Sequence, residues 1–134
     1  MENLIKVVIG GALSGITYFL GGWDFALQTL LVAIVLDYIT GVCKAGYDKK
    51  LNSKIGLKGI IKKVGYLLIV AVSVIADNML GSTGVIRTTV IFIFVANELL
   101  SILENWGGMG LPIPQILIEK LEQLKNKNEN KEEK

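Results

Sequence analysis

Four charged residues stand inside otherwise apolar runs of this 134-residue chain: Asp37, Asp77, Arg87 and Glu98. Carboxylates held near one another can do general acid–base work, and that work is easiest with a partner that titrates near neutral pH. No histidine is present to serve as that partner. Cys43 is the lone cysteine, which removes an internal disulfide and any Cys-x-x-Cys metal pair. The chain holds no glycine-rich phosphate loop, no cluster of metal ligands and no nucleophile elbow. These residues therefore pose a question of solvation rather than catalysis, and neither an enzyme nor a cofactor is expected.

The setting of the charges gives the question its weight. Four apolar segments can be marked: 7–23, 25–43, 64–82 and 87–103. Each is close to the 17–25 residues that cross a bilayer as a helix. None offers the wide polar stripe of a helix on the surface of a soluble domain, and a chain this short cannot wrap four such helices in protein. The expected fold class is all-α and integral to a membrane. Residues 1–114 form the transmembrane part with four spans; residues 115–134 form a cytoplasmic amphipathic helix with a charged, disordered tail. A cleavable signal peptide is disfavoured for the first segment, because Glu2 and Lys6 do not make a basic leader.

A charge near the bilayer centre costs roughly 2.5–3.5 kcal/mol on insertion scales, so three acids on three spans ask for partners or water. Helical spacing puts Asp37 and Thr40 on one face of the second segment. Tyr66, Ser73 and Asp77 share a face of the third. Arg87, Asn97, Glu98 and Ser101 lie close to one stripe of the fourth. The first segment carries Gly10, Gly11, Ser14 and Gly15, small residues that allow close helix approach. Two readings stay open. The polar groups bond one another within a single bundle, Arg87 pairing with Asp77 near the outer surface. Or they line a water-filled space between copies of the chain. Trp23 and Trp106 fit interface anchors.

Residues 44–63 carry seven lysines against Asp48. By the positive-inside rule this loop faces the cytoplasm, and four spans would then place both termini there. Asn52 or Ser53 can cap a short basic helix that runs into the third segment. On it Lys54, Lys58, Lys62 and Lys63 are expected to face anionic lipid. Gly107, Gly108, Gly110, Pro112 and Pro114 close the fourth segment. Beyond them Ile113, Ile116, Leu117, Leu121 and Leu124 form an apolar stripe, and 126–134 reads as disordered.

Leu36-Asp37-Tyr38-Ile39-Thr40-Gly41 with Lys44-Ala45, then Lys49-Lys50-Leu51-Asn52-Ser53, then Gly56-x-x-Gly59-x-x-Lys62-Lys63 follow in order. Asn97-Glu98-Leu99-Leu100-Ser101-Ile102-Leu103-Glu104-Asn105 and Gly110-Leu111-Pro112-Ile113-Pro114 complete the set. Together they resemble the toxin-secretion/phage-lysis holin family of Gram-positive bacteria and their phages, over roughly residues 36–124. The resemblance implies a small inner-membrane protein that accumulates, forms a homo-oligomer and permeabilises the membrane. An endolysin, or in some relatives a large toxin, then escapes. It implies no catalytic residue, cofactor or nucleic-acid partner. A small multidrug exporter is the nearest alternative, but it would usually carry its essential acid in the first span, which here has none. A channel subunit or membrane scaffold is the other.

Overall fold

A computed structural model describes residues 1–132 as five helices: α1 (Glu2–Phe19), α2 (Phe25–Tyr47), α3 (Ser53–Leu80), α4 (Val85–Gly108) and α5 (Gln115–Glu132). Local chemistry sets the boundaries. The Leu27 N–H donates to Asp24 Oδ1 at 3.0 Å, so Asp24 caps α2. The Lys54 N–H donates to Asn52 Oδ1 at 2.9 Å and starts α3. Gly81, at φ 68°, ends α3 in the left-handed conformation that glycine takes without penalty. The basic loop helix and the third apolar segment are thus one continuous element.

Packing centres on α4, which lies against α2, α3 and α5, while α2 and α3 touch each other only slightly. Leu27 and Leu30 of α2, Val70 of α3 and Ile91 of α4 are fully enclosed and form the core with Leu20 and Val95. The remaining large side chains face outward: Val32 and Val35 on α2, and Leu68, Val72 and Ile75 on α3, are each more than half exposed. No further protein in the chain covers them. Lipid accounts for this distribution, with the buried residues supplying van der Waals packing between helices rather than a transfer out of water.

Among the described residues three helices, not four, are long and apolar enough to cross a membrane: α2, α3 and α4. The first segment falls short because its helix begins at Glu2 and spends two of its 18 residues on Glu2 and Lys6, which pair with each other at 2.6 Å. Helix α1 is exposed along most of its length, and only its end, at Tyr18 and Phe19, borders α3 at Ala71, Val74 and Ile75. A Cβ added at Gly10, Gly11 or Gly15 would meet no atom within 4 Å. The small residues expected to pack helices have no partner inside this chain. At 28 residues α3 is ~42 Å long, against a hydrocarbon core of ~30 Å. The excess of ~12 Å is about eight residues, the length of the basic stretch Ser53–Ile60 at its start.

The far end also differs from expectation. Helix α5 continues through 126–132, where disorder was expected; 133–134 lie outside the described residues. Ile113, Ile118 and Leu121 are half-buried against the end of α4, whereas Ile116, Leu117 and Leu124 stay exposed.

Candidate functional site

The polar residues of the spans gather into two nodes, one at each end of the bundle. Counting from the helix ends explains the first. Asp37 lies ten residues before Tyr47, Lys63 ten after Ser53 and Glu98 ten before Gly108. Ten residues are ~15 Å of helix, so the three groups share one level. There the Lys63 ammonium lies between the two carboxylates, 2.7 Å from Asp37 Oδ2 and in direct contact with Glu98 Oε2. Asn105 Nδ2 donates to Asp37 Oδ1 at 3.2 Å and to Thr40 Oγ1 at 3.1 Å, tying α4 to α2 a turn nearer the helix ends. One lysine thus joins three helices.

This corrects the expectation for Lys63. It is not a lipid-facing lysine; its side chain is 13% exposed and points into the bundle. Lys54, Lys58 and Lys62 are exposed, Lys62 lying 6.0 Å from the centre of the Tyr66 ring. Tyr66 in turn stacks on Phe94, with ring centres 4.3 Å apart. Asn97 and Ser101 line a ≈ 340 Å³ cavity beside the same node, together with Asp37, Lys63 and Glu98.

At the other end Asp77 does a different job. The N-cap of α4 is Gly84, which has no side chain to offer. Asp77, from the end of α3, supplies the missing acceptors: Ile86 N–H donates to Oδ1 at 3.0 Å and Arg87 N–H to Oδ2 at 2.8 Å. Ser82 Oγ donates to Oδ1 at 2.6 Å. A carboxylate there also meets the positive end of the helix dipole. The expected Asp77–Arg87 side-chain pair is therefore not formed; only the Arg87 backbone reaches Asp77.

The Arg87 side chain goes instead to the link between α1 and α2. Its guanidinium donates to Leu20 O at 2.6 Å, to Gly22 O at 3.2 Å and to both oxygens of Asp24 at 2.6 and 3.0 Å. Gly21, at φ 89°, passes so close that a Cβ would fall on the guanidinium, so the clip needs glycine there for both reasons. The guanidinium holds the Asp24 carboxyl below its ordinary range. Ser73 is buried lower on α3, bonded to its own helix at Val70 O. Among the described residues no buried side-chain polar atom lacks a partner, and no group of acids and cysteine could hold a metal ion.

Periodicity found the faces but not the partners. Lys63 is 26 residues from Asp37 and 35 from Glu98, and Asp24 is 63 from Arg87. The one usable signal for Lys63 was its place at the end of the lysine run, where α3 turns apolar.

The arrangement has no reacting centre. It is a bundle with apolar outer walls and internally paired buried charges, and residues 14–126 match the bacteriophage holin family. The chain belongs to that family. The match points to a non-enzymatic, membrane-permeabilising protein. The holin-family chain is 34% identical to a probable holin of Bacillus phage phi105 over 108 residues, 81% of this chain and 80% of that one. It is 44% identical to an uncharacterised 14.9 kDa protein of Clostridium perfringens over 95% of its own length and 99% of the relative's. An uncharacterised protein of Listeria innocua is 42% identical over 87% of this chain and 84% of its own. No solved structure matches.

Proposed function

We propose that this chain is a holin that forms a homo-oligomer in the bacterial inner membrane, opens it, and so releases an endolysin or a large toxin. The observation that carries the reading is the division of labour within the bundle. The buried charges Asp37, Lys63, Asp77, Arg87 and Glu98 are satisfied inside one chain, while the outward faces of α2 and α3 and most of α1 carry apolar side chains with no partner in it. Such a protomer enters lipid at modest cost and keeps its helix faces for other copies.

The lysines of the α2–α3 connection favour the cytoplasmic side for that end of the bundle, and α5 follows α4 to the same side. The N-terminus then depends on α1, which the reading places as the helix freest to change position. In the open assembly, separation of α3 from α2 and α4 would turn Asp37, Thr40, Lys63, Glu98 and Ser101 towards water. At the other end Asp77 and Arg87 keep their backbone partners and hold the protomer together. The triad holds the closed protomer; its opening supplies the polar lining.

Inducible expression in a bacterium that also makes a cytoplasmic wall hydrolase tests this. The expected record is a delay, abrupt loss of membrane potential, then hydrolase release and lysis. Depolarisation without hydrolase release would mean a small pore. Unchanged potential at verified membrane levels would overturn the holin reading.

A further inference from the structure

Because α2 and α3 both lean on α4 and barely meet, a groove opens between them along the inner half of the bundle. Two cavities make it up, and they join at Tyr38 and Lys63. The deeper one, ≈ 310 Å³, is walled by Leu31, Ile34 and Ile39 of α2 and Ile60, Val64 and Leu67 of α3. Apart from the Lys63 side chain and the Tyr38 ring its lining is aliphatic. The shallower one, ≈ 260 Å³, opens towards the α2–α3 connection beside Lys50 and Asn52. Glycines 41, 56 and 59 thin its walls, and the Tyr38 hydroxyl would stand 3.5 Å from a Cβ at Gly56.

The groove is therefore graded: aliphatic at depth, polar and cationic at its mouth. The mouth falls at the level where α3 leaves the hydrocarbon core. Charge completes the match. Lys49, Lys50, Lys54 and Lys58 crowd that end and form no ion pair among the described residues, while Asp48 is taken by Lys44 at 3.1 Å. Asp37 and Glu98, the acids nearest the groove, already share Lys63. An uncompensated positive mouth above an aliphatic slot fits a molecule with an anionic head and a hydrocarbon chain.

We infer that the α2–α3 groove is a binding site for one anionic phospholipid, its acyl chain lying between Ile34 and Leu67 and its phosphate at Lys50. The lipid fills the gap that α2 and α3 leave, and its removal loosens α3 from α2. The inference rests on the membrane placement proposed above but not on permeabilising activity. A chain that binds lipid yet never depolarises a cell would refute the holin reading alone.

The test is native mass spectrometry of the full chain in detergent micelles with equal amounts of phosphatidylglycerol and phosphatidylcholine. Phosphatidylglycerol should be retained about fivefold over phosphatidylcholine, the ratio that about 1 kcal/mol per interfacial lysine corresponds to. Lys50→Gln should bring the two lipids close to parity. Val35→Trp, which places a ring in the groove from an exposed position, should abolish retention of both while circular dichroism shows the helices intact. If that variant loses its helices, the Lys50→Gln comparison decides alone. Equal retention of the two lipids by the parent chain would overturn the inference, as would a preference untouched by either substitution. Loss of chain–chain cross-linking in Val35→Trp with lipid retention unchanged would assign the groove to a second copy instead.

Discussion

The two ends of the bundle solve the same problem, charge in an apolar setting, by different means. The outer node is assembled mostly from backbone: Asp77 accepts from two N–H groups of α4, and Arg87 donates to two carbonyls of the α1–α2 link. The inner node is assembled from side chains, one cation between two anions on three different helices. Backbone partners cannot leave without unwinding a helix end. Side-chain partners can part as soon as the helices do. The outer node is suited to being permanent, and the inner node to being a contact that assembly can break.

The sharpest way to break the comparison is Lys63→Met. It strands two buried carboxylates, and removing one member of a buried pair typically costs about 3–5 kcal/mol. Thermal unfolding in micelles, followed by circular dichroism, should show a larger drop than any other single substitution in either node. Adding Asp37→Asn and Glu98→Gln removes the stranded charge and should recover most of the loss. If Lys63→Met unfolds no earlier than the parent chain, the triad holds nothing together.

Asp77→Ala comes next. It removes the acceptors for the first N–H groups of α4, and loss of a helix cap costs about 0.5–2 kcal/mol. The same thermal assay should show a smaller shift than Lys63→Met, with Asp77→Asn between Asp77→Ala and the parent because an amide oxygen still accepts. A cost for Asp77→Ala above that of Lys63→Met would reverse the ranking of the two nodes.

The ranking also marks what could be read in the chain before its structure. Caps and breakers act within a few residues, so the continuous run from Asn52 into α3 and the stop at Gly107–Gly108 were legible, whereas the Asp24 cap of α2 was not read. Helical spacing placed Asp37, Tyr66, Ser73, Asp77 and Glu98 on polar faces without saying whether these point into one bundle or between copies, and it missed Leu27 and Leu30, whose burial depends on which neighbour they meet. It also grouped Lys63 with the exposed lysines. A periodic pattern gives a direction around a helix axis; it does not say what stands there. The first segment is not among the helices apolar enough to span, for a quantitative reason: Glu2 and Lys6 dilute a helix of only 18 residues.

A pH titration separates the nodes by charge. The Asp24 carboxyl sits below its ordinary value of 3.8 because the Arg87 guanidinium hydrogen-bonds it. A folded pKa below the unfolded one means stability that is present above about pH 3.8 and lost as pH falls through the folded pKa. Asp24→Asn lacks that contribution at every pH. The parent and Asp24→Asn should therefore differ in melting temperature at pH 6 and converge as pH falls below 3.8. The gap should be modest, because the Asp24 side chain is 50% exposed and solvent screens the pair. A gap that stays constant down to pH 2 would mean that the clip owes nothing to the Asp24 charge.

The smallest expected effect on the protomer lies farthest from both nodes. Gly11 on α1 has open space where a side chain would go. Gly11→Leu should leave the folded chain unchanged or stabilise it by up to about 1 kcal/mol, since glycine is a poor helix former. Its effect on assembly should run the other way. Two helices that approach through Gly11 and Gly15 come closer than leucine allows, so the delay before lysis should change while the melting temperature does not fall. That pairing of results would set α1 apart from both nodes, as the one helix whose packing is reserved for other copies. An unchanged delay would remove α1 from the assembly and leave the outer faces of α2 and α3 to build it.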